Sequence, residues 1–248
     1  MVSHEISEEE LINIPVPDST DTYVSIPNKL IIDTLDTILS ANNHVITKKI
    51  YRVGRLGKQM SFLYMIASND SDLSMMLGGY NSYDKSRRFA IATGAVVNVC
   101  INGMINSEFQ SIRKHTGRIK EDLYYLISDA VLKVRENYDK AQKEMKQMRD
   151  FKISPEIVYE LIGEMVVSEE LLTYRQIALV QKEFISNANF KLFEENKRFV
   201  KGKSMWDFYN CVTESYKNEP AIGFMEKHRR FHGYVKKKLR EFAPAETL

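Results

Sequence analysis

Several things are scarce in this chain, and each scarcity narrows what it can be. Two cysteines in 248 residues, Cys100 and Cys211, are too few and too far apart for a disulfide framework or a zinc cluster, so both read as small buried hydrophobes. Six prolines and eleven glycines rule out a collagen-like or low-complexity chain. No long apolar run is present. The most apolar stretch, residues 90–101, is broken by Thr93, Gly94 and Asn98 and falls short of the roughly 20 residues a membrane helix needs, so no membrane partner is expected. The first 25 residues contain no Lys or Arg, the reverse of a secretory or mitochondrial leader, which predicts a cytoplasmic protein.

What remains is the composition of a globular protein, with 44% hydrophobic and 27% charged residues. At roughly 150 residues per domain, the length allows one large domain or two small ones. The net charge of +2 hides an uneven distribution. Six acids (Glu5, Glu8, Glu9, Glu10, Asp18 and Asp21) crowd the first 25 residues, so the rest of the chain stands at +8. Residues 48–88 carry eight Lys or Arg against three Asp, and residues 226–241 carry seven against two. A basic body with an acidic arm suits a polyanion partner, for whose site the arm can compete. The same charges would also suit solvated faces and a solubilising tail.

Periodicity predicts an α+β protein. Residues 1–26 read as an acidic flexible arm in which Pro15 and Pro17 disfavour helix. Apolar spacing predicts a short helix from Asn28 to Ser40. An N-terminal antiparallel β-meander follows, with strands expected over 44–53, 60–66, 73–80 and 88–93. Residues 118–149 contain neither Gly nor Pro and read as one long helix on which the meander packs. Its seam of Ile119, Leu123, Leu126, Ala130, Val134, Tyr138, Ala141, Met145 and Met148 must be covered by the sheet, another helix or another subunit. Residues 27–150 are thus the sheet and long-helix core. Residues 151–248 form a mostly helical C-terminal half on the same core, with helices expected over 155–167, 173–184, 204–216 and 220–242.

Catalytic patterns are missing: there is no nucleophile elbow, phosphate-cradling loop, dinucleotide fingerprint or kinase signature, and no cofactor is expected. His115 in KHTGRI could act as an acid or base, or cap and pack. His228 and His232 stand at i and i+4, the spacing of metal ligands on a helix, but Lys227, Arg229 and Arg230 beside them disfavour a cation, so no metal is expected. A nucleic-acid reading draws on more residues. Lys48, Lys49, Arg52, Arg55 and Lys58 cluster around the first hairpin, and Lys85, Arg87 and Arg88 follow within reach of the same sheet. Tyr51, Phe62 and Tyr64 are interleaved, either as stacking faces or as core beneath the sheet. Lys236, Lys237, Lys238 and Arg240 form a second basic candidate.

Four segments together resemble a phage and plasmid family catalogued as domain of unknown function 932. They are NSYDKS (81–86), VCINGM (99–104), KHTGRI (114–119) and WDFYNCVTE (206–214). The resemblance singles out Asn81, Asp84, Cys100, Asn102, Gly103, His115, Trp206 and Asn210 without assigning them roles. It departs at Lys85, where the family tends to have Gly, and at Ile101, where it tends to have Ser. It implies a mobile-element setting, in the host-cell cytoplasm if phage-encoded, and supplies no activity. A meander with a basic hairpin followed by a long helix is also similar, at the level of architecture, to the RecT, Red-beta and Rad-type single-strand annealing proteins. The expected function is therefore single-stranded DNA binding and annealing by a homo-oligomer without a cofactor, with RNA left open. The alternatives are an interaction module acting on a host protein and a nucleic-acid enzyme centred on His115 and Asp84.

Overall fold

The computed structural model describes residues 3–70, 73–97, 102–185, 203–217, 219 and 221–242. In chain order the elements are β1 (His4–Ile6), α1 (Glu8–Ile12), α2 (Asn28–Ala41), β2 (Ile46–Gly54), β3 (Gln59–Ile66), β4 (Leu73–Ser82), β5 (Phe89–Val97), β6 (Asn102–Arg113), α3 (Ile119–Asp150), α4 (Pro155–Val167), α5 (Tyr174–Ile185), α6 (Met205–Ser215) and α7 (Ala221–Phe242). The class is α+β, as the periodicity predicts.

The six strands form one antiparallel sheet in sequence order, β1 to β6. Alternation assigns its two faces. On one face the ring of Phe62, opposite Gly79 in the register, packs with Tyr51, Tyr64, Leu77 and Ile91. On the other face Met65, Met76, Tyr80, Ala90, Ala92 and Val96 close around Met225 of α7. The long helix docks on the sheet: Asn137 donates from Nδ2 to Thr93 Oγ1 at 2.8 Å, and the Tyr138 hydroxyl donates to the Leu73 carbonyl at 3.3 Å.

Contact clustering divides the chain into Met1–Ala141 with Asn218–Arg229, and Gln142–Lys217 with Arg230–Leu248. The division falls within α3 and within α7, so each of these helices contributes residues to both units. In the first unit the sheet is the core. In the second, Tyr209 of α6 stacks on Trp206 and on Phe231, and its hydroxyl lies 3.3 Å from His232 Nδ1.

Three features depart from the sequence expectations. The described part of the acidic arm carries regular secondary structure. β1 pairs with β2, and α1 forms ahead of Pro15 because Ser7 and Glu10 make a reciprocal capping box and Leu11 is fully buried. A sixth strand, β6, pairs with β5 although its sequence has no apolar alternation. Finally, α3 runs 32 residues, about 48 Å at 1.5 Å per residue, and the chain itself covers the seam. Ile119, Leu123, Ala130, Val134, Tyr138, Ala141, Met145 and Met148 are buried, with Leu126 half-buried. The seam therefore does not call for a second subunit. Among the described residues, no helix is long and apolar enough to cross a membrane.

The Phe62 and Gly79 pair gives the sheet a testable weak point. A Cβ at Gly79 would collide with the Phe62 ring and with the Ala90 carbonyl. Gly79→Ala is expected to destabilise the fold by about 1–3 kcal/mol, as overpacking of a tight core does, measured as a lower urea midpoint at unchanged slope.

Candidate nucleic-acid interface

Three chain segments meet at one end of the sheet. They are the β2–β3 turn (55–58), the β4–β5 connection (83–88) and the residues that follow β6 (114–118). In the first turn Arg55, Leu56 and Gly57 adopt φ of 49°, 57° and 83°, three left-handed residues in succession, which puts Leu56 at the tip with 95% of its surface exposed. The Tyr83 N–H donates to the Lys58 carbonyl at 2.7 Å and ties the first two segments together. Asp84 completes the tie. Its carboxylate accepts from the Ser86 N–H at 3.0 Å, the Ser86 hydroxyl at 2.5 Å, Gln59 Nε2 at 2.9 Å and Arg55 at 3.1 Å. Burial disfavours the Asp84 charge, but these hydrogen bonds outweigh it and hold the carboxyl below the usual range. Lys85 then turns the chain with φ of 61°, the conformation a glycine would adopt without strain.

This arrangement displays some cations and engages others. Lys58, Lys85 and Arg88 are exposed and have no ion-pair partner among the described residues; the Lys85 ammonium lies 5.2 Å from the Tyr23 ring centre. Arg55 is paired with Asp84, and Arg87 with Glu226 at 3.0 Å. Lys48, further along β2 and opposite Met65, is exposed. Its neighbours Lys49 and Arg52 meet acids of the chain. Lys49 contacts Asp36 at 2.6 Å and Glu8 at 3.1 Å, and Arg52 contacts Glu5, its cross-strand partner, at 3.6 Å. Burial opposes the Lys49 charge, yet Asp36 and Glu8 leave its ammonium harder to deprotonate than usual.

Sequence reasoning missed three cations at the same end. Pairing of Phe89 with Arg113 brings the end of β6 beside the start of β5. Lys114, Arg118 and Lys120 follow, all exposed and without an ion-pair partner among the described residues, while Arg113 pairs with Asp122 at 2.8 Å. The signal is legible in KHTGRIK, where three cations surround the histidine. The aromatic residues of the first hairpin are core. Tyr51, Phe62 and Tyr64 are buried and meet edge to face, and the Tyr51 hydroxyl bonds Glu8 and Tyr64 at 2.9 Å each.

Of the remaining motif residues, Asn81, His115, Trp206 and Asn210 make contacts within the fold. Asn81 donates to the Ile26 carbonyl and to Asn28 Oδ1, both at 2.9 Å. His115 is 4% exposed and stacks on Tyr23, with ring centres 5.0 Å apart and planes 7° apart, and the Tyr23 hydroxyl donates to the Ser82 carbonyl. Neither ring nitrogen of His115 has a hydrogen-bond partner, and no hydrogen bond joins His115 to Asp84, among the described residues. Cys100 lies outside the described residues. Asn102 and Gly103 are placed as backbone in β6, opposite Val97 and Val96.

In the second unit, Trp206 is buried under the Arg149 guanidinium, and Asn210 donates to the Trp206 carbonyl at 3.0 Å. His232 is buried against Glu144 at 2.8 Å, and Lys236 reaches the other oxygen of the same carboxylate at 2.6 Å. Lys238 is 6% exposed and bonds Glu164 at 2.6 Å and Glu241 at 3.0 Å. Lys237 and Arg240 are exposed, with Lys237 near Glu241 at 3.8 Å. The C-terminal basic run is thus largely engaged in holding its own unit together. His228 is buried, and no group of three or more His, Cys, Asp or Glu among the described residues could hold a metal ion.

The family model described as "Domain of unknown function (DUF932)" matches residues 19–238. No curated protein and no solved structure matches the chain.

Burial lowers the His115 imidazole pKa, against a smaller opposing influence from the Val24 backbone. A neutral buried imidazole contributes stability in full above the unfolded value of about 6.5 and loses it as pH falls toward the lower folded value. His115→Phe keeps a ring for Tyr23 to stack on and removes the titration. The variant is expected to lose less stability than wild type between pH 7.5 and pH 5.5, read from urea midpoints; equal losses would show that His115 does not set the acid sensitivity.

Proposed function

The chain belongs to the DUF932 family, a domain of unknown function, and from that premise we propose that it binds single-stranded DNA and promotes annealing of complementary strands. The observation that carries this reading is the set of exposed cations without ion-pair partners among the described residues, Lys58, Lys85, Arg88, Lys114, Arg118 and Lys120, brought to one end of the sheet from three separate segments. Charges without carboxylate partners can neutralise phosphates and release their counterions. They sit mostly on turns, which can track a flexible backbone without presenting a helix to the major groove, so sequence preference is expected to be weak.

The acidic N-terminal segment fits the same reading. Glu5 and Glu8 occupy Arg52 and Lys49 of β2 much as phosphates would, and β1 and α1 precede the family-matched region, which begins at residue 19. The polyanion and the segment then compete for β2. Assembly into an oligomer, if annealing uses one, has surfaces other than the α3 seam to draw on.

Binding to labelled oligo-dT across a salt series tests the proposal. Affinity is expected to fall steeply with salt, and the triple change Lys58→Ala, Lys85→Ala and Arg88→Ala to flatten the logarithmic slope by about 2, at roughly 0.7 per lost single-strand phosphate contact. Affinity that ignores salt, or a triple variant with the wild-type slope, sinks the proposal. An RNA oligonucleotide of the same sequence separates the two nucleic acids, and light scattering with and without oligonucleotide reads assembly. Glu5→Gln with Glu8→Gln is expected to tighten binding several-fold at low salt and to match wild type at high salt, where screening removes the competition.

A further inference from the structure

On α3, two tyrosines face outward on a helix whose apolar seam is otherwise inside. Tyr124 is 56% exposed and Tyr125 is 72% exposed, their ring centres 6.0 Å apart and their planes at 87°. Leu132, two turns beyond Tyr125, is also exposed. Isolated exposed apolar residues need no explanation, but two adjacent aromatic rings that follow the cations Arg118 and Lys120, with Glu121 one turn before Tyr125 and Asp129 one turn after it paired to Lys133, form a patch with a chemistry. Lys120 stands one turn before Tyr124, four residues away and hence on the same side of the helix. The Arg118 carbonyl accepts the Asp122 N–H at 2.9 Å, so Arg118 is already in the helical frame, two turns before Tyr125. Lys114 precedes both, and Glu121 is the exposed acid on this stretch, since Asp122 is paired with Arg113.

We infer that Tyr124 and Tyr125 form a base-stacking step that continues the basic rim onto α3, with the unpaired bases of a single strand as its ligand. The inference rests on the single-strand reading proposed above and adds what that reading lacks, a means of telling single strands from duplex. Phosphate contacts alone do not distinguish the two, whereas an aromatic face can engage only a base freed from its stack and its pair. The hairpin aromatics cannot serve, because Tyr51, Phe62 and Tyr64 are buried. The geometry of the pair suits the role: with planes nearly perpendicular, one ring can offer its face to a base while the other closes its side. The cations on the approach to the pair, Lys114, Arg118 and Lys120, none with an ion-pair partner among the described residues, favour a nucleic acid over a protein as occupant, since the nearby acids Asp122 and Asp129 are paired with Arg113 and Lys133. Arg118 and Tyr125 are about 10 Å apart along the helix, so phosphate and base contacts fall within one short stretch of strand.

The test uses the full chain and three probes: oligo-dT, the same length of duplex, and an abasic strand that keeps the phosphates and lacks the bases. Tyr124→Ala with Tyr125→Ala is expected to weaken oligo-dT binding by at least about fivefold, the effect of losing one stacked base. Duplex and abasic binding should be unchanged. Tyr124→Phe with Tyr125→Phe keeps the rings and is expected to bind as wild type, which separates stacking from any loss of fold. If the alanine pair binds oligo-dT as tightly as wild type does, the stacking inference is overturned while the phosphate-binding reading stands. If wild type binds oligo-dT and the abasic strand equally, the inference falls in the same way. Wild type that binds none of the three probes overturns both readings and leaves the patch as a surface for a protein.

Discussion

One carboxylate carries the geometry of the candidate interface. Asp84 accepts hydrogen bonds from Ser86, from Gln59 at the start of β3 and from Arg55 in the preceding turn. Two turns far apart in sequence are thereby held side by side, and Lys58, Lys85 and Arg88 are displayed around them. An ion pair with Arg55 alone, largely exposed, would contribute little in water. The strength comes from Asp84 being mostly buried and meeting neutral donors as well as a cation, so that its charge is satisfied before any ligand arrives. Asp84 therefore fastens the rim, and around it stand cations with no ion-pair partner among the described residues.

The same economy of charge runs through the rest of the chain. Basic residues that look equivalent in sequence sort into two kinds once folded. Lys49, Arg52 and Arg87 meet acids brought from α1, α2, β1 and α7, and Lys236 and Lys238 meet Glu144 and Glu164. Arg55, Arg113 and Lys237 also meet acids, whereas Lys58, Lys85, Arg88, Lys114, Arg118 and Lys120 have no carboxylate partner among the described residues. A count of positive charge overstates the surface a polyanion could use, and the arrangement of acids decides where that surface lies.

Lys85 shows how a departure from a family pattern can be absorbed. The position takes a left-handed conformation, and a lysine occupies it at a modest steric cost because Asp84 and Ser86 hold the chain on either side. In exchange a cation is projected over Tyr23 at the rim, which a glycine could not do.

Local pattern alone was enough for most of the architecture. β-branched and aromatic enrichment marked β2, period-two alternation marked β3, turn residues bounded β4 and β5, and the Gly- and Pro-free run marked α3, because these signals are properties of each segment by itself. The capping box of Ser7 and Glu10 is a local signal for α1, and Pro15 and Pro17 lie beyond the end of that helix, where they do not interrupt it. β6 was not legible, since a strand without apolar alternation is recognised only by the neighbour it pairs with. For the site, the sequence determined which residues carry charge, and tertiary structure decided which of them are free to use it. Whether Arg52 faces Glu5, whether Tyr51 and Tyr64 are buried, and whether Tyr124 and Tyr125 are exposed depend on contacts between residues distant in sequence. Those contacts come into being only when the sheet closes and the helices cover it.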